Sequence, residues 1–377
     1  MFKRFFSIFD QGRSEGKHFG GQLYVSLKGK VIFDAPLGID GEGAPLKQNI
    51  KFPWLSSGKP LTAVAIGHLL DEKLVRLDWP VRKVIPEFSS TKKDSILISN
   101  LLTHTACLRG ADKVPDTLDW QQTIAEICQV DVDADCEVGY TGGYHVSGTW
   151  FLLGEIVARI SSVPLPEFLS NQVFKPARMT GTSLGMSRES YKAHAKELAT
   201  MYVTANGEVS PHPLLNTEDH IISVRPGSNV RGPISDLGRF YENLMGLNGS
   251  PVMKERTIRQ FTSRQRIGLV DQTFRKKMDW GYGFIINSAH LIEGEMPYGY
   301  GKYATRNTFG HSGAQSSTGF CDPEHELVVT WVLNGMCGEL AHSRRAHALN
   351  TALYEDLGLE SKVQAPPEID KSTEQVG

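Results

Sequence analysis

The sequence is short of cysteine. It holds five, Cys107, Cys128, Cys136, Cys321 and Cys337, an odd number with no C-x-x-C pair, which sets aside a disulfide framework and fits reduced thiols in a cytoplasmic protein. None of its 12 histidines forms H-E-x-x-H, so neither a metal site nor any other cofactor is expected. An excess of charge is missing too: 40 basic residues face 42 acidic ones, for a net charge of −2. That balance argues against nucleic acid or an anionic membrane as partner. The first ten residues start basic, but their apolar run stops after about five residues, short of the 7–15 of an export signal. No later run approaches a membrane span. There is no internal repeat and no low-complexity linker.

What is present is an ordinary globular composition, 40% apolar and 22% charged over 377 residues, enough chain for a large core. A short phenylalanine-bearing helix through Phe9 leads to a hairpin of 20–27 and 31–33 around a Gly29 turn. A buried helix follows Ser56 and ends near Lys73, and short helical patterns joined by proline-bearing loops come next. A helix is expected over Thr149 to Ser161. Asn206-Gly207 reads as a type I′ turn, and Ser235 or Asp236 as the cap of a helix striped by Leu237, Phe240, Tyr241 and Leu244. Beyond 279 the pattern turns to strands, at 281–286, 316–321 and 327–333, before a last helix at 339–357. The order predicts an α+β fold: one antiparallel sheet built from both chain ends and flanked by terminal helices, with a helical insertion. The expected division is 1–95 with 275–358, a mostly helical 96–274, and a polar tail at 359–377.

Ser56 and Lys59 stand where chemistry is expected. Leu61, Val64, Ala65 and Leu69 follow helical spacing, and Pro60 requires the helix to start just before it. Ser56 then lies at the helix N-terminus, and Lys59 one turn on along the same face. Ser-x-x-Lys occurs three more times, at Ser14/Lys17, Ser89/Lys92 and Ser90/Lys93, always in polar segments without an apolar helix behind. Tyr144, in a glycine-flanked loop before a helix, and His311, in Gly310-His311-Ser312-Gly313, are further candidates. Each alone is equally well a structural residue.

Together and in this order, these pieces resemble the serine β-lactamase/DD-peptidase superfamily, in particular its class C β-lactamases, family VIII carboxylesterases and related acyltransferases. Ser56 through Ala63 is similar to the family's Ser-x-x-Lys helix, 101–105 (Leu-Leu-Thr-His-Thr) to a recurrent segment, and Tyr144 to the tyrosine of its second motif. His311-Ser312-Gly313 stands where many members have Lys-Thr-Gly. Pro226-Gly227-Ser228 through Phe240 is similar to its Gly-rich turn and following helix. The likeness spans roughly 20–357. It implies a DD-peptidase/β-lactamase-like fold and an acyl-enzyme on Ser56, with Lys59 or Tyr144 as the base. Lys59 can serve only if its pKa falls from about 10.4 to about 7. The oxyanion hole would be the backbone N–H groups of Ser56 and Ala314. His311, Ser312, Gly313 and Val146 would meet the substrate.

Two departures bear on the substrate. Val146 replaces the asparagine of class C lactamases, and neutral His311 replaces the lysine that attracts a substrate carboxylate. Both favour a small neutral ester, hence a carboxylesterase, over a β-lactamase or a D-Ala-D-Ala carboxypeptidase-type amidase; an acyltransferase would share the same acyl-enzyme, and a non-catalytic penicillin-binding-like protein would be expected to have lost one of Ser56, Lys59 and Tyr144. The expected partner is a small-molecule acyl substrate, and the sequence leaves the oligomeric state open. Among rival motifs, Gly181-Thr182-Ser183-Leu184-Gly185 matches the G-x-S-x-G elbow, but no apolar strand precedes it. The loose dinucleotide pattern at Gly299 to Ala304 lacks its strand and helix. His104 is expected to hold a turn and Cys107 to be buried.

Overall fold

The computed structural model describes residues 2–115 and 119–360. Its centre is a seven-stranded antiparallel sheet: β1 (Gly20–Leu27), β2 (Lys30–Gly38), β3 (Asp279–Trp280), β4 (Ile285–Ile286), β5 (Phe309–Gly313), β6 (Ser317–Asp322) and β7 (Leu327–Leu333), in the spatial order β3-β4-β5-β6-β7-β1-β2. The chain ends meet where β1 pairs with β7, Leu23 opposite Trp331 and Val25 opposite Val329. Alternation along these strands sends residues to two separate cores. Leu23, Val25, Val329 and Trp331 face one apolar cluster with Phe5 and Phe9, and Tyr24, Val328 and Val332 face the other.

The first cluster is roofed by the two terminal helices, α1 (Lys3–Ser14) and a long helix at Glu339–Asp356. Asp356 joins them by accepting the Arg4 and Phe5 backbone N–H groups at 3.2 and 3.0 Å, which satisfies two donors that the start of α1 leaves free. The second cluster belongs to the helical region, with α2 (Lys59–Asp71) packed on α3 (Gly148–Ser161). Helix α2 is apolar on every side and almost wholly buried, as a helix at the centre of a large core must be. Two more helices complete the frame: α4 (Ile234–Leu244), packed on β1 and β7, and the terminal helix, hereafter α5. The architecture is thus the expected antiparallel sheet with terminal helices and a helical insertion.

Local expectations differ in three places. Of the strand read at 281–286 only Ile285–Ile286 is strand, as β4; residues 281–284 are the turn from β3, because Gly283 adopts φ 80° and packs its bare Cα against Ala63. Asn206-Gly207 is not a two-residue turn. The pairing of Tyr202–Val203 with Ser210–Pro211 is closed by a longer loop holding a 3₁₀ turn at Ala205–Gly207. Neither Ser235 nor Asp236 caps α4. Pro233, with φ −60° and ψ 140°, sets its start, and the Asp236 carboxylate instead accepts from Gly181 N and Thr182 Oγ1 at 2.8 Å each. Of the expected tail, residues 361–377 lie outside the described residues. Among the described residues no helix is long and apolar enough to cross a membrane.

Candidate active site

The site begins with a strained approach. Leu55 sits at φ 50°, a left-handed backbone rare for a branched side chain. From there 55–58 make a 3₁₀ turn that runs into α2, with Pro60 in the first helical turn, where no N–H is missed. The segment is tied to the sheet from below: Ser317 Oγ of β6 donates to the Trp54 carbonyl at 2.7 Å and shares a hydrogen bond with Ser57 Oγ at 3.0 Å. Gly313, at the end of β5, has to be glycine, since a Cβ there would come 2.3 Å from Trp54 O.

Ser56 Oγ is met from two sides. Lys59 Nζ lies 3.0 Å away and the Tyr144 hydroxyl 2.9 Å away. The tyrosine and the lysine therefore communicate through Ser56 Oγ. Lys59 is fully buried, and its amine also donates to the carbonyls of Val146 at 2.7 Å and Gly227 at 2.6 Å. Carbonyls can only accept, so they take two N–H groups and aim the amine's third position at Ser56. Burial pushes the Lys59 pKa down to about 7, opposed in part by the Asp112 carboxylate. The same burial pushes the Tyr144 phenol up, well away from neutrality. Tyr144 is stacked on Trp280 and flanked by Phe274 and His104, with ring centroids 5.6, 5.1 and 4.9 Å away.

Two carboxylates hold the tyrosine loop. Asp112 accepts the backbone N–H groups of Val146, Ser147 and Gly148 at 2.7–2.8 Å, filling the cap position of α3 that Ser147 leaves unused. Asp271 accepts Tyr144 N at 3.1 Å and is neutralised by Arg266 at 2.8 Å, a pair with almost no exposure. Thr273 Oγ1 closes the clasp on the Tyr144 carbonyl at 3.0 Å.

In front of Ser56 opens a cleft of about 590 Å³, mostly apolar, lined among others by Tyr144, Val146, Phe274, His311, Ser312 and Ala314. His311 is buried, its Nδ1 lies 2.9 Å from the Ser312 carbonyl, and burial pulls its pKa down to about 3, so it is neutral. Ser312 Oγ hydrogen-bonds Thr318 Oγ1, while Gly313 acts as backbone. Ser56, Lys59, Tyr144, Val146, His311, Ser312, Gly313 and Ala314 thus come together at one place. Val146 does more than was expected of it, because its carbonyl orients Lys59. Gly227 O, Asp112, Asp271 and Arg266 were not anticipated. A carbonyl ligand has no side-chain signature, and the glycine of Pro226-Gly227 was the only available signal for one of them. Ser183 is no nucleophile elbow: it lies in a two-residue strand, and the next helix starts only at Arg188. His104 does hold a turn, at φ 58°, and its Nδ1 accepts His145 N. Among the described residues no three His, Cys, Asp or Glu side chains cluster to hold a metal ion.

The sequence profile of the β-lactamase family matches residues 5–353. Esterase EstB of Burkholderia gladioli is 26% identical, the alignment covering 90% of this chain and 93% of that protein. Among solved structures, a penicillin-binding protein homologue from Caulobacter crescentus superposes with a TM-score of 0.79 at 24% identity, over 94% of this chain and 97% of the other. A family VIII carboxylesterase superposes at 0.74 and 22% identity, over 92% and 96%.

Proposed function

The chain belongs to the β-lactamase family and is a serine hydrolase, and from that premise we propose that it is a carboxylesterase that cleaves a small neutral ester through an acyl-enzyme on Ser56. One observation carries the reading. A single hydroxyl stands 3.0 Å from a buried amine with a pKa of about 7 and 2.9 Å from a phenol, at the floor of a largely apolar cleft.

Lys59 is the base in this reading. Near neutral pH a large share of its amine is unprotonated, and the two carbonyls leave its lone pair facing Ser56. Tyr144 keeps its proton at that pH, so it acts as a donor. Ser56 Oγ bonds to the acyl carbon while its proton passes to Lys59 Nζ. The N–H groups of Ser56 and Ala314 hold the oxyanion. As the ester C–O bond breaks, the proton held on the Lys59 ammonium passes to the departing alkoxide, toward which the Tyr144 hydroxyl donates a hydrogen bond. Water then repeats the sequence on the acyl carbon and frees Ser56. An ester suits this site better than a β-lactam or a peptide stem, because His311 offers no positive charge to a substrate carboxylate, and neither does any other described residue of the cleft lining.

The test is release of p-nitrophenol from p-nitrophenyl butyrate, with intact-mass detection of a butyryl adduct on a Ser56 peptide. Wild type is expected to turn over and Ser56→Ala to fall to background. Equal rates in the two proteins would overturn the assignment. Hydrolysis of ampicillin in preference to esters would return the chain to the lactamases, and transfer to an added alcohol in preference to water would make it an acyltransferase.

A further inference from the structure

The cleft in front of Ser56 has a charge of its own. Among the described residues that line it, Glu339, in the first turn of α5, is the one acidic side chain, and there is no lysine or arginine. The carboxylate is held in place. One oxygen accepts the Tyr298 hydroxyl, and the other accepts Gln315 Nε2 at 3.1 Å. Gln315 follows Ala314 directly, and its own Oε1 accepts Gly338 N at 2.7 Å. Burial and the neighbouring Glu339 push the Tyr298 phenol up, so it stays a donor. Each carboxylate oxygen keeps acceptor capacity toward the cleft.

His311 supplies no positive charge to oppose the Glu339 carboxylate. Its Nδ1 faces the Ser312 carbonyl, which can only accept, so Nδ1 carries the proton and Nε2 is a lone pair. That Nε2 is buried and has no partner among the described residues. The nearby cation, Arg345, is not displayed. It is buried behind His342, and its guanidinium is spent on His342 Nδ1 and on the carbonyls of Lys17, Gln315 and Gly335. The described lining of the cleft therefore carries a negative charge and no positive one, the reverse of what a carboxylate-binding site needs.

We infer that Glu339 is a specificity-determining residue that makes the site prefer esters bearing a cationic ammonium group and reject esters bearing a carboxylate. This rests on the esterase reading above and departs from it in one respect, that the preferred ester is cationic rather than neutral.

Two substrate series test it, one with the charge on the acyl side of the ester and one with it on the leaving-group side. In the first, p-nitrophenyl butyrate is compared with its 4-trimethylammonio analogue and with the mono-p-nitrophenyl ester of glutaric acid. In the second, ethyl thioacetate is compared with acetylthiocholine and with S-(2-carboxyethyl) thioacetate. Turnover of the neutral member tests the esterase reading itself. The cation-to-anion ratio of kcat/KM within one protein tests Glu339. In wild type that ratio should be roughly tenfold in at least one series, modest because water at the exposed rim screens the field. It should collapse toward unity in Glu339→Gln and invert in Glu339→Lys. Should either variant fail to fold, wild type alone still decides, since the ratio must shrink as salt rises from about 0.02 to 0.5 M. Neutral esters cleaved with no charge preference in either series, or a preference that survives Glu339→Gln or high salt, would overturn the inference and leave the esterase intact.

Discussion

Replacing Lys59 by methionine separates what the amine does for chemistry from what it costs the fold. The lysine is fully buried, and its pKa falls from 10.5 to about 7, chiefly by desolvation. At 1.36 kcal/mol per pH unit, that fall amounts to roughly 5 kcal/mol against holding the ammonium in the folded chain at low pH. Between pH 7 and 10.5 the unfolded chain carries a proton on Lys59 that the folded chain has released. Wild-type stability, measured against Lys59→Met, therefore rises with pH across that window, by about 1.4 kcal/mol per unit. Below pH 7 both states bind the proton and the difference is flat. The absolute difference is offset because the variant strips the Val146 and Gly227 carbonyls of their donor, a loss of about 1–3 kcal/mol each where they stay dry. The slope is free of that offset. Urea unfolding of both proteins from pH 6 to 9 should show a difference that moves in favour of wild type by about 2 kcal/mol between pH 7 and 9. The wild-type kcat/KM for p-nitrophenyl butyrate should climb with an apparent pKa near 7. Parallel stability curves, or an activity limb that rises only above pH 9, would refute both the burial argument and the role of Lys59 as base.

Two further substitutions probe the scaffold. Asp112→Asn keeps the shape of the clasp on Val146, Ser147 and Gly148 but removes a negative charge that raises the Lys59 pKa. The acid limb of the kcat/KM profile should move to lower pH, while kcat falls about tenfold or more as the loop loosens; an unmoved limb would separate Asp112 from Lys59. Gly313→Ala would drive a Cβ to 2.3 Å from Trp54 O and 2.4 Å from Ser317 Oγ. The backbone beside Ser56 must then shift, costing about 1–3 kcal/mol of stability along with most of the activity. Unchanged thermal unfolding and turnover would show that the strand end yields without disturbing Ser56.

Much of this arrangement was legible in the chain. The sheet could be read because β1, β6 and β7 alternate or run apolar to suit two cores, and because their turns carry glycine or proline. Ser56 and Lys59 could be read because only that pair of the four Ser-x-x-Lys occurrences precedes a helix apolar on every side. Tyr144 could be read from glycines before a helix. Other features had no sequence signal to give. Pro233 starts α4 by its backbone angles alone, so Ser235 and Asp236 looked like caps while Asp236 was serving Gly181 and Thr182. Gly281 and Gly283 sat in an apolar run that reads equally well as one strand or as two strands and a turn. The acceptors that orient Lys59 are main-chain oxygens of Val146 and Gly227, 87 and 168 residues away along the chain, and side-chain identity carries no trace of them.

The division between what activates Ser56 and what selects its substrate follows from the same geometry. Everything that lowers or steers Lys59 lies behind the serine: the walls of α2 and α3, two carbonyls, and the Asp112 clasp. The cleft lies in front, and its His311 and Glu339 stand on β5 and the first turn of α5. His311 sits where the two regions touch. It is neutral in part because the Lys59 charge opposes protonation there, and that repulsion is mutual. A lysine at this position would bring a second cation toward the first and lower the Lys59 pKa further, or be driven out toward the cleft to meet an anion. With histidine, the amine keeps a pKa near neutrality without help from an acidic substrate, and the cleft is left to Glu339. A neutral imidazole at position 311 is therefore consistent with an active serine; what it removes is the attraction for a carboxylate.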